Sequence, residues 1–257
     1  MRSFDSHCHL DFPDFDQDRA ALLAECRLRG VAGFIIPAIG AGNWRRVMAL
    51  AASEPDIFFA LGVHPCFVAD QPEDVMAQLA ALAAARPAGL VAIGECGLDG
   101  RSHLVQEGQL ALFEAQIRLA MGMDLPLIVH SVRANDDVLK LLRRHKPARG
   151  GVIHAFSGSL HQAERFWQLG FKLGIGGTIT YERANKTREA VAAMPLESLL
   201  LETDSPDMPL SGAQGERNSP LSLLRVLDEL ANIKRLPVEY VARVLCESTS
   251  RSFHLHK

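Results

Sequence analysis

The sequence predicts an α/β fold: a (β/α)₈ barrel of the TIM type, built as one domain from residues 1–257. Three observations point there. The chain has 257 residues, a length that α/β barrels routinely reach as one unit. Eight short apolar runs alternate with segments of helical periodicity, the pattern of repeated βα units. His, Glu and Asp recur at the ends of those runs, and in such a barrel all strand ends open at one mouth.

The strand-like runs are residues 4–8, 33–37, 58–63, 90–94, 126–130, 151–155, 171–175 and 199–203. Most are continuously apolar, as parallel strands covered on both faces must be. Between them, residues 18–30 mix charged and apolar side chains at helical spacing and close on Gly30. Residues 106–122 place Leu110, Phe113, Ile117 and Met121 on one stripe, and residues 160–170 end at Gly170, a common helix stop. The alanine-rich segment 77–85 is good helix material. Trp44 and Trp167 read as helix-face packing residues, Trp44 alternatively bordering a substrate groove. No linker or low-complexity stretch divides the chain.

Composition narrows the class. Hydrophobic content of 48% with 22% charged residues fits a globular chain with a sizeable core. No stretch approaches the roughly 18 unbroken apolar residues of a membrane span, and no basic segment followed by an apolar one marks a secretory signal. Cys8, Cys26, Cys66, Cys96 and Cys246 are odd in number and lack C-x-x-C spacing. Reduced thiols in a cytoplasmic protein are therefore expected, with no membrane association and no obligate protein partner. A net charge of -3 argues against coating nucleic acid electrostatically. It leaves room for a site whose positive charge comes from bound cations.

The first run ends in His7 and His9, which point to one face of an extended segment and can grip one cation together. Asp5 shares that face, placed to serve a metal or to orient a ligand. Later runs deliver His64, Glu95, His130, His154 and Asp204. Four histidines with two carboxylates exceed one open tetrahedral zinc site but suit two divalent ions sharing a bridge. Glu95 is the natural bridge. His7, His9 and Asp204 then complete one site, and His130 with His154 the other. A water between two such ions becomes a nucleophile near neutral pH, and Asp204 is placed to act as its general base. Zn, Mn, Mg and Ni all accept these ligands. The plainer reading of Asp204 is a cap before the Pro206 turn.

Around this set the roles stay open. Glu202 is either a carboxylate supporting the ligands or a buried ion-pair partner. His64 either meets a substrate phosphoryl oxygen or hydrogen-bonds within the mouth. Arg133 either clamps a phosphate or lies in a solvated first turn. Asp99 caps or orients the loop carrying Glu95. Gly158 and the stretch Gly174-Ile175-Gly176-Gly177-Thr178 permit close backbone approach or form tight turns. The loop at residues 205–220 shapes access to the mouth. Cys8, Cys96, His103, His145, His161, His254 and His256 are assigned to packing or surface.

The motifs as a set resemble the TatD family of metal-dependent hydrolases and DNases. They are Asp5-Ser6-His7-Cys8-His9, Gly62-Val63-His64-Pro65, Gly94-Glu95-Cys96-Gly97-Leu98-Asp99, Val129-His130-Ser131, His154-Ala155-Phe156-Ser157-Gly158 and Glu202-Thr203-Asp204-Ser205-Pro206. They cover nearly the whole chain in family order. The segment at residues 158–166 and the stretch through Tyr181 resemble the YjjV-like branch in particular. The resemblance implies a TIM-type barrel, two divalent metal ions, and phosphodiester hydrolysis as a DNase, a 3′–5′ exonuclease with DNA as its transient partner. It also implies metal-ligand roles for His7, His9, Glu95, His130, His154 and Asp204. Two departures stand out: Gly100, Arg101 and Ser102 follow Asp99 where many relatives carry aromatic residues, and Arg217-Asn218-Ser219-Pro220 keeps only part of an Arg-Asn-Glu-Pro pattern. The transient partner is DNA or another phosphodiester substrate, and an amidohydrolase-type enzyme cleaving a small ester, amide or lactone is the alternative. A non-catalytic barrel with structural metals is a third reading, and it leaves Asp204 without a purpose.

Overall fold

Strands β1 (Ser3–Asp5), β2 (Val31–Pro37), β3 (Ile57–Leu61), β4 (Leu90–Asp99), β5 (Leu127–Val132), β6 (Gly151–Ile153), β7 (Phe171–Ile175) and β8 (Leu199–Leu201) pair in sequence order, every pair parallel. This computed structural model describes residues 2–101 and 106–255. Ser102, His103 and His256 lie outside the described residues. The helices are α1 (Arg19–Leu28), α2 (Trp44–Ser53), α3 (Val75–Ala84), α4 (Gln106–Met123), α5 (Asn135–His145), α6 (Leu160–Gln168), α7 (Asn185–Ala193), α8 (Leu223–Lys234) and α9 (Val238–Phe253). The expected (β/α)₈ barrel is the observed one.

Alternation along the strands builds two apolar layers. Phe34, Ile36, Phe59, Leu61, Val129 and Ile153 pack outward under the helices. Ile35, Ala60, Ala92, Ile128, Val152 and Leu200 form a separate inner cluster with Phe4 and Phe253, so the barrel is filled rather than open. Trp44 is buried and donates from Nε1 to the Gly62 carbonyl at 2.8 Å, which settles it as a packing residue. On α4 the inward face is Phe113, Ile117 and Ala120, while Leu110 and Met121 are exposed. The anticipated stripe is therefore rotated: positions i, i+4 and i+7 face the sheet, and Gln109 and Gln116 share that buried face. Cys8 and Cys96 pack in the outer layer as expected, and all five cysteines are free. Among the described residues no helix is long and apolar enough to cross a membrane.

Two local features position the mouth. Between Ile93↔Leu127 and Cys96↔Val129, β4 advances three residues while β5 advances two. This bulge re-aims Glu95, which an uninterrupted strand would point elsewhere. Just beyond it, Gly97 has φ +133°, and a Cβ there would lie 2.0 Å from the His130 carbonyl oxygen. Glycine is thus required where β4 crowds β5.

The second feature is the seam between β8 and β1. Ser6 N–H donates to the Leu201 carbonyl at 2.9 Å, Asp204 N–H to the His7 carbonyl at 2.9 Å, and His9 N–H to the Ser205 carbonyl at 2.7 Å. Asp5 lies at this seam rather than with the ligands. Its carboxyl accepts from Thr203 N–H at 3.0 Å and His7 N–H at 3.3 Å, and its Oδ2 is 2.7 Å from Thr203 Oγ1. Asp5 therefore orients the His7 segment through the backbone and does not join the cation ligands. Burial raises the Asp5 carboxyl to about 8, against the lowering effect of its bonds to Thr203 and His7.

Removing the Asp5 carboxyl leaves buried donors without partners, so Asp5→Ala should cost about 2–4 kcal/mol in urea unfolding. Asp5→Asn keeps a neutral group of the same shape and should cost under about 1 kcal/mol. The folded protein holds a proton on Asp5 that the unfolded chain releases above its ordinary value of 3.8. Stability from this group therefore falls as pH rises between 3.8 and about 8. Denaturation from pH 5 to 8 should show the parent losing ground steadily to Asp5→Asn.

Candidate metal centre

At the C-terminal mouth, five imidazoles close around one carboxylate. Glu95 is 2% exposed, and its two oxygens face different partners. Oε2 lies 3.3 Å from His7 Nε2 and 3.7 Å from His9 Nε2. Oε1 lies 3.0 Å from His130 Nδ1, 3.1 Å from His154 Nε2 and 3.4 Å from His64 Nε2. Asp204 completes the first side, with Oδ1 3.4 Å from His7 Nε2 and 3.6 Å from His9 Nε2. Every ligand expected from sequence thus converges on one centre. His7 and His9 do not share a strand face: β1 stops at Asp5, and both histidines sit on the chain just past it, their rings edge to face at 5.1 Å.

These spacings fit a cation. Ligand atoms at about 2.0–2.1 Å from an ion stand about 3.0 Å apart around an octahedron and about 3.4 Å around a tetrahedron. The buried His7 Nε2 has no hydrogen-bond partner among the described residues, although it points at two carboxylates. The groups His7–His9–Glu95, His64–Glu95–His130 and His7–His154–Glu202 each gather three donor atoms suited to one ion. His64 hydrogen-bonds within the mouth, one of the two roles open to it, and also joins a candidate ligand group. Its Nδ1 accepts from Cys66 N–H at 3.1 Å, which turns Nε2 inward to 3.1 Å from His130 Nδ1.

The electrostatics follow from this crowding. Burial pushes the Glu95 carboxyl up, but the imidazoles of His154, His64 and His7 overcome it and hold the group well below the usual carboxylate range. Asp204 is likewise lowered, burial being outweighed by His154, His9 and His7. His154 is raised well above an ordinary imidazole despite burial, by Glu95 and Asp204. His7 is lowered by burial and by neighbouring His154, whose ring stacks on it at 3.8 Å.

A second layer fixes these ligands. Asp99 Oδ2 lies 3.0 Å from His130 Nε2, on the ring edge facing away from Glu95, and so sets that ring's orientation. Asp99 also receives Arg101 Nη2 at 2.6 Å. Glu202 is buried beneath His154, with Oε1 3.5 Å from Nδ1, and accepts from Ala155 N–H. Its side chain occupies space above Gly174, where a Cβ would sit 2.1 Å from Oε2. Asn218 is buried and donates to the carbonyls of Thr203 at 3.0 Å and Asp207 at 2.8 Å, bracing the turn that carries Asp204. From α4, Gln116 pairs with both backbone groups of Val63, and Gln109 accepts from Asp99 N–H. The partial Arg-Asn-x-Pro motif signalled Asn218; the α4 glutamines carried no comparable signal.

Above the centre lies a cleft of about 450 Å³, rimmed by Phe12, Phe67, Arg101, Asp207 and Met208. Asp204, at 15% side-chain exposure, is the more open of the two ligand carboxylates. Arg133 is exposed and lies outside this cleft, in the adjoining groove. The loop after Asp99 brings Arg101 to the rim, where the sequence indicated only a departure from pattern.

The family described as TatD related DNase matches residues 4–254. The chain belongs to this family. It is 46% identical to the Escherichia coli K12 metal-dependent hydrolase YjjV over 99% of this chain and 98% of that one. The crystal structure of that TatD homologue superposes with a TM-score of 0.96, covering 99% of both chains. Another relative, from Pantoea ananatis, is 32% identical over 98% of this chain and 99% of its own length, and is named the 3′-5′ ssDNA/RNA exonuclease TatD. As a TatD-family protein this chain is a metal-dependent hydrolase, with its histidine and glutamate clusters as the candidate metal sites.

Because Asp99 acts on the centre through His130, Asp99→Ala should leave the barrel folded while weakening metal binding about 10–100-fold in chelator competition. Affinity should also fall on acidification, since ligating imidazoles must be neutral.

Proposed function

We propose that this protein is a two-metal deoxyribonuclease that trims single-stranded DNA from the 3′ end. The observation that carries the reading is the division of Glu95: one oxygen serves His7 and His9 beside Asp204, the other serves His64, His130 and His154. A bridging carboxylate between two sets of ligands is what paired divalent ions need. The 32% identical relative named as a 3′-5′ exonuclease supports the choice of substrate. The free cysteines fit a cytoplasmic setting.

In this reading His7, His9, Asp204 and Glu95 would hold one ion, and His130, His154 and Glu95 the other, with His64 beside the second set. Bound divalent cations supply charge neutralisation on the attacking and leaving oxygens and make a water nucleophilic near neutral pH. Asp204, ionised and open to the cleft, accepts the proton of the attacking water at its carboxylate. Asp99 keeps the His130 ring in place. Arg101, anchored by Asp99, presents its guanidinium to the substrate phosphate at the rim. Phe12, Phe67 and Met208 narrow the cleft around the strand end.

End-labelled single-stranded DNA, incubated with Mg or Mn and with chelator, tests this directly. The parent should shorten the strand from its 3′ end only with metal. Asp204→Asn should lower kcat at least about 100-fold, and Glu95→Ala should abolish both activity and metal retention. Turnover of small esters or lactones without DNA trimming, by folded metal-loaded protein, would instead assign the site to amidohydrolase-type chemistry.

A further inference from the structure

The mouth does not end at the metal cleft. From a rim shared through Arg101, Val132, Ala155 and Met208, a groove of about 680 Å³ runs over the ends of β5 and β6. Through Thr178 and Met208 it continues into a second trough of about 490 Å³ beside Tyr181 and Arg183. The charged side chains along this path are Arg133, Lys186 and Arg183 against Asp136 and Asp137, with Arg101 at the rim already paired to Asp99. Asp136 is engaged by Gln162, whose Nε2 donates to it at 3.0 Å. The whole chain runs the other way, with 27 basic and 30 acidic residues, so the excess is local.

Many cations elsewhere on the surface are paired, although Arg45, Arg143 and Arg165 are also exposed without an ion pair among the described residues. Arg27, Arg29, Arg118, Arg188, Arg217 and Arg243 are each committed to a carboxylate within 3.0 Å. Arg133, Arg183 and Lys186 are exposed and have no ion pair among the described residues. Arg183 instead lies over the Tyr181 ring, 5.1 Å from its centroid, and Tyr181 is fixed by donating to the Pro209 carbonyl at 2.7 Å. A row of unpaired cations ending in a braced aromatic and guanidinium is the pairing that single strands use: charge tracks the backbone, and a flat group stacks a base.

We infer that this groove carries the outgoing part of a single nucleic-acid strand whose end lies in the metal cleft. Arg133 and Lys186 meet successive phosphates, and the Tyr181–Arg183 pair stacks a base further along. The nuclease reading supplies the choice of occupant, but binding in the groove is measurable without cleavage. Glu95 is 2% exposed and lines the cleft, so the reacting phosphate must reach a buried carboxylate, which an unpaired strand end can do.

The test is fluorescence anisotropy of metal-loaded protein with a labelled single-stranded phosphorothioate of about 12 nucleotides, within the range of single-strand site sizes. The double variant Arg133→Gln/Lys186→Gln should bind about tenfold more weakly at about 0.1 M salt. Its plot of log affinity against log salt should be flatter by about 1.4, for two phosphates at about 0.7 each. Tyr181→Ala should also lose about tenfold, with the salt slope unchanged and affinity recovered in Tyr181→Phe. Arg243→Gln, on the remote helix α9, should match the parent. Equal affinity and slope in parent and double variant would overturn the groove assignment, even if DNA is trimmed. Duplex binding with the same sensitivity would overturn the single-strand assignment. Groove-dependent binding without any trimming would uphold the groove and sink the nuclease reading alone.

Discussion

A carboxylate surrounded by imidazoles, with water almost excluded, is the constraint on which the mouth of this barrel depends. Glu95 cannot be buried as a bare charge without a cost of several kcal/mol, and neutral imidazoles alone do not discharge that cost. The bulge in β4, the glycine that lets β4 lie against β5, and the convergence of chain ends from most of the strands all serve to bring donors to its two oxygens. Because those oxygens face opposite sets of histidines, the carboxylate organises both halves of the centre. A shift of β4 by one residue would turn Glu95 away from the mouth and disperse the site.

The residues that hold the ligands come from elements other than those bearing them. Asp99 steadies His130 from β4, Asn218 steadies the Asp204 turn from across the last loop, and Gln116 on α4 holds the backbone that presents His64. These polar groups are buried, and each is bonded by the segment it serves. A buried amide or carboxylate with such a partner restricts its neighbour to one arrangement more sharply than apolar packing does. The rigidity of the centre therefore rests on the barrel wall and its helices as much as on the ligands.

The repeating pattern of apolar run, ligand and helix was legible because strand ends in this fold share one face, so position along the chain translated directly into position in space. His7, His9, Glu95, His130, His154 and Asp204 were all placed at the mouth that way. Of the two roles open to Asp5, orienting a ligand is the one its contacts match, because the backbone leaves the ladder at that residue and its carboxyl turns to Thr203 and His7 N–H. The two roles left open for His64 could not be separated, because its orientation depends on the helical turn begun by Pro65, which ties Nδ1 to Cys66. Gln109 and Gln116 were invisible as supports, since a polar residue on a helix reads as solvent-facing until the rotation of that helix is known. Arg101 and the cations beyond it belong to separate loops, and no spacing rule connects them.

The β8–β1 seam joins residues separated by 198 positions, Asp5 and Thr203. Contacts of that separation are the slowest to form, because nearly the entire chain must be ordered before its ends can meet. His7 and His9 come from one end of the sequence and Asp204 from the other, so half of the centre has no existence in a partly folded chain. His64, Glu95, His130 and His154 all precede β7 in the chain, yet the reactive arrangement is incomplete until the last strand docks. Hydrolytic competence is thereby made to coincide with completion of the fold, and a chain stalled before β8 carries incomplete and chemically silent machinery.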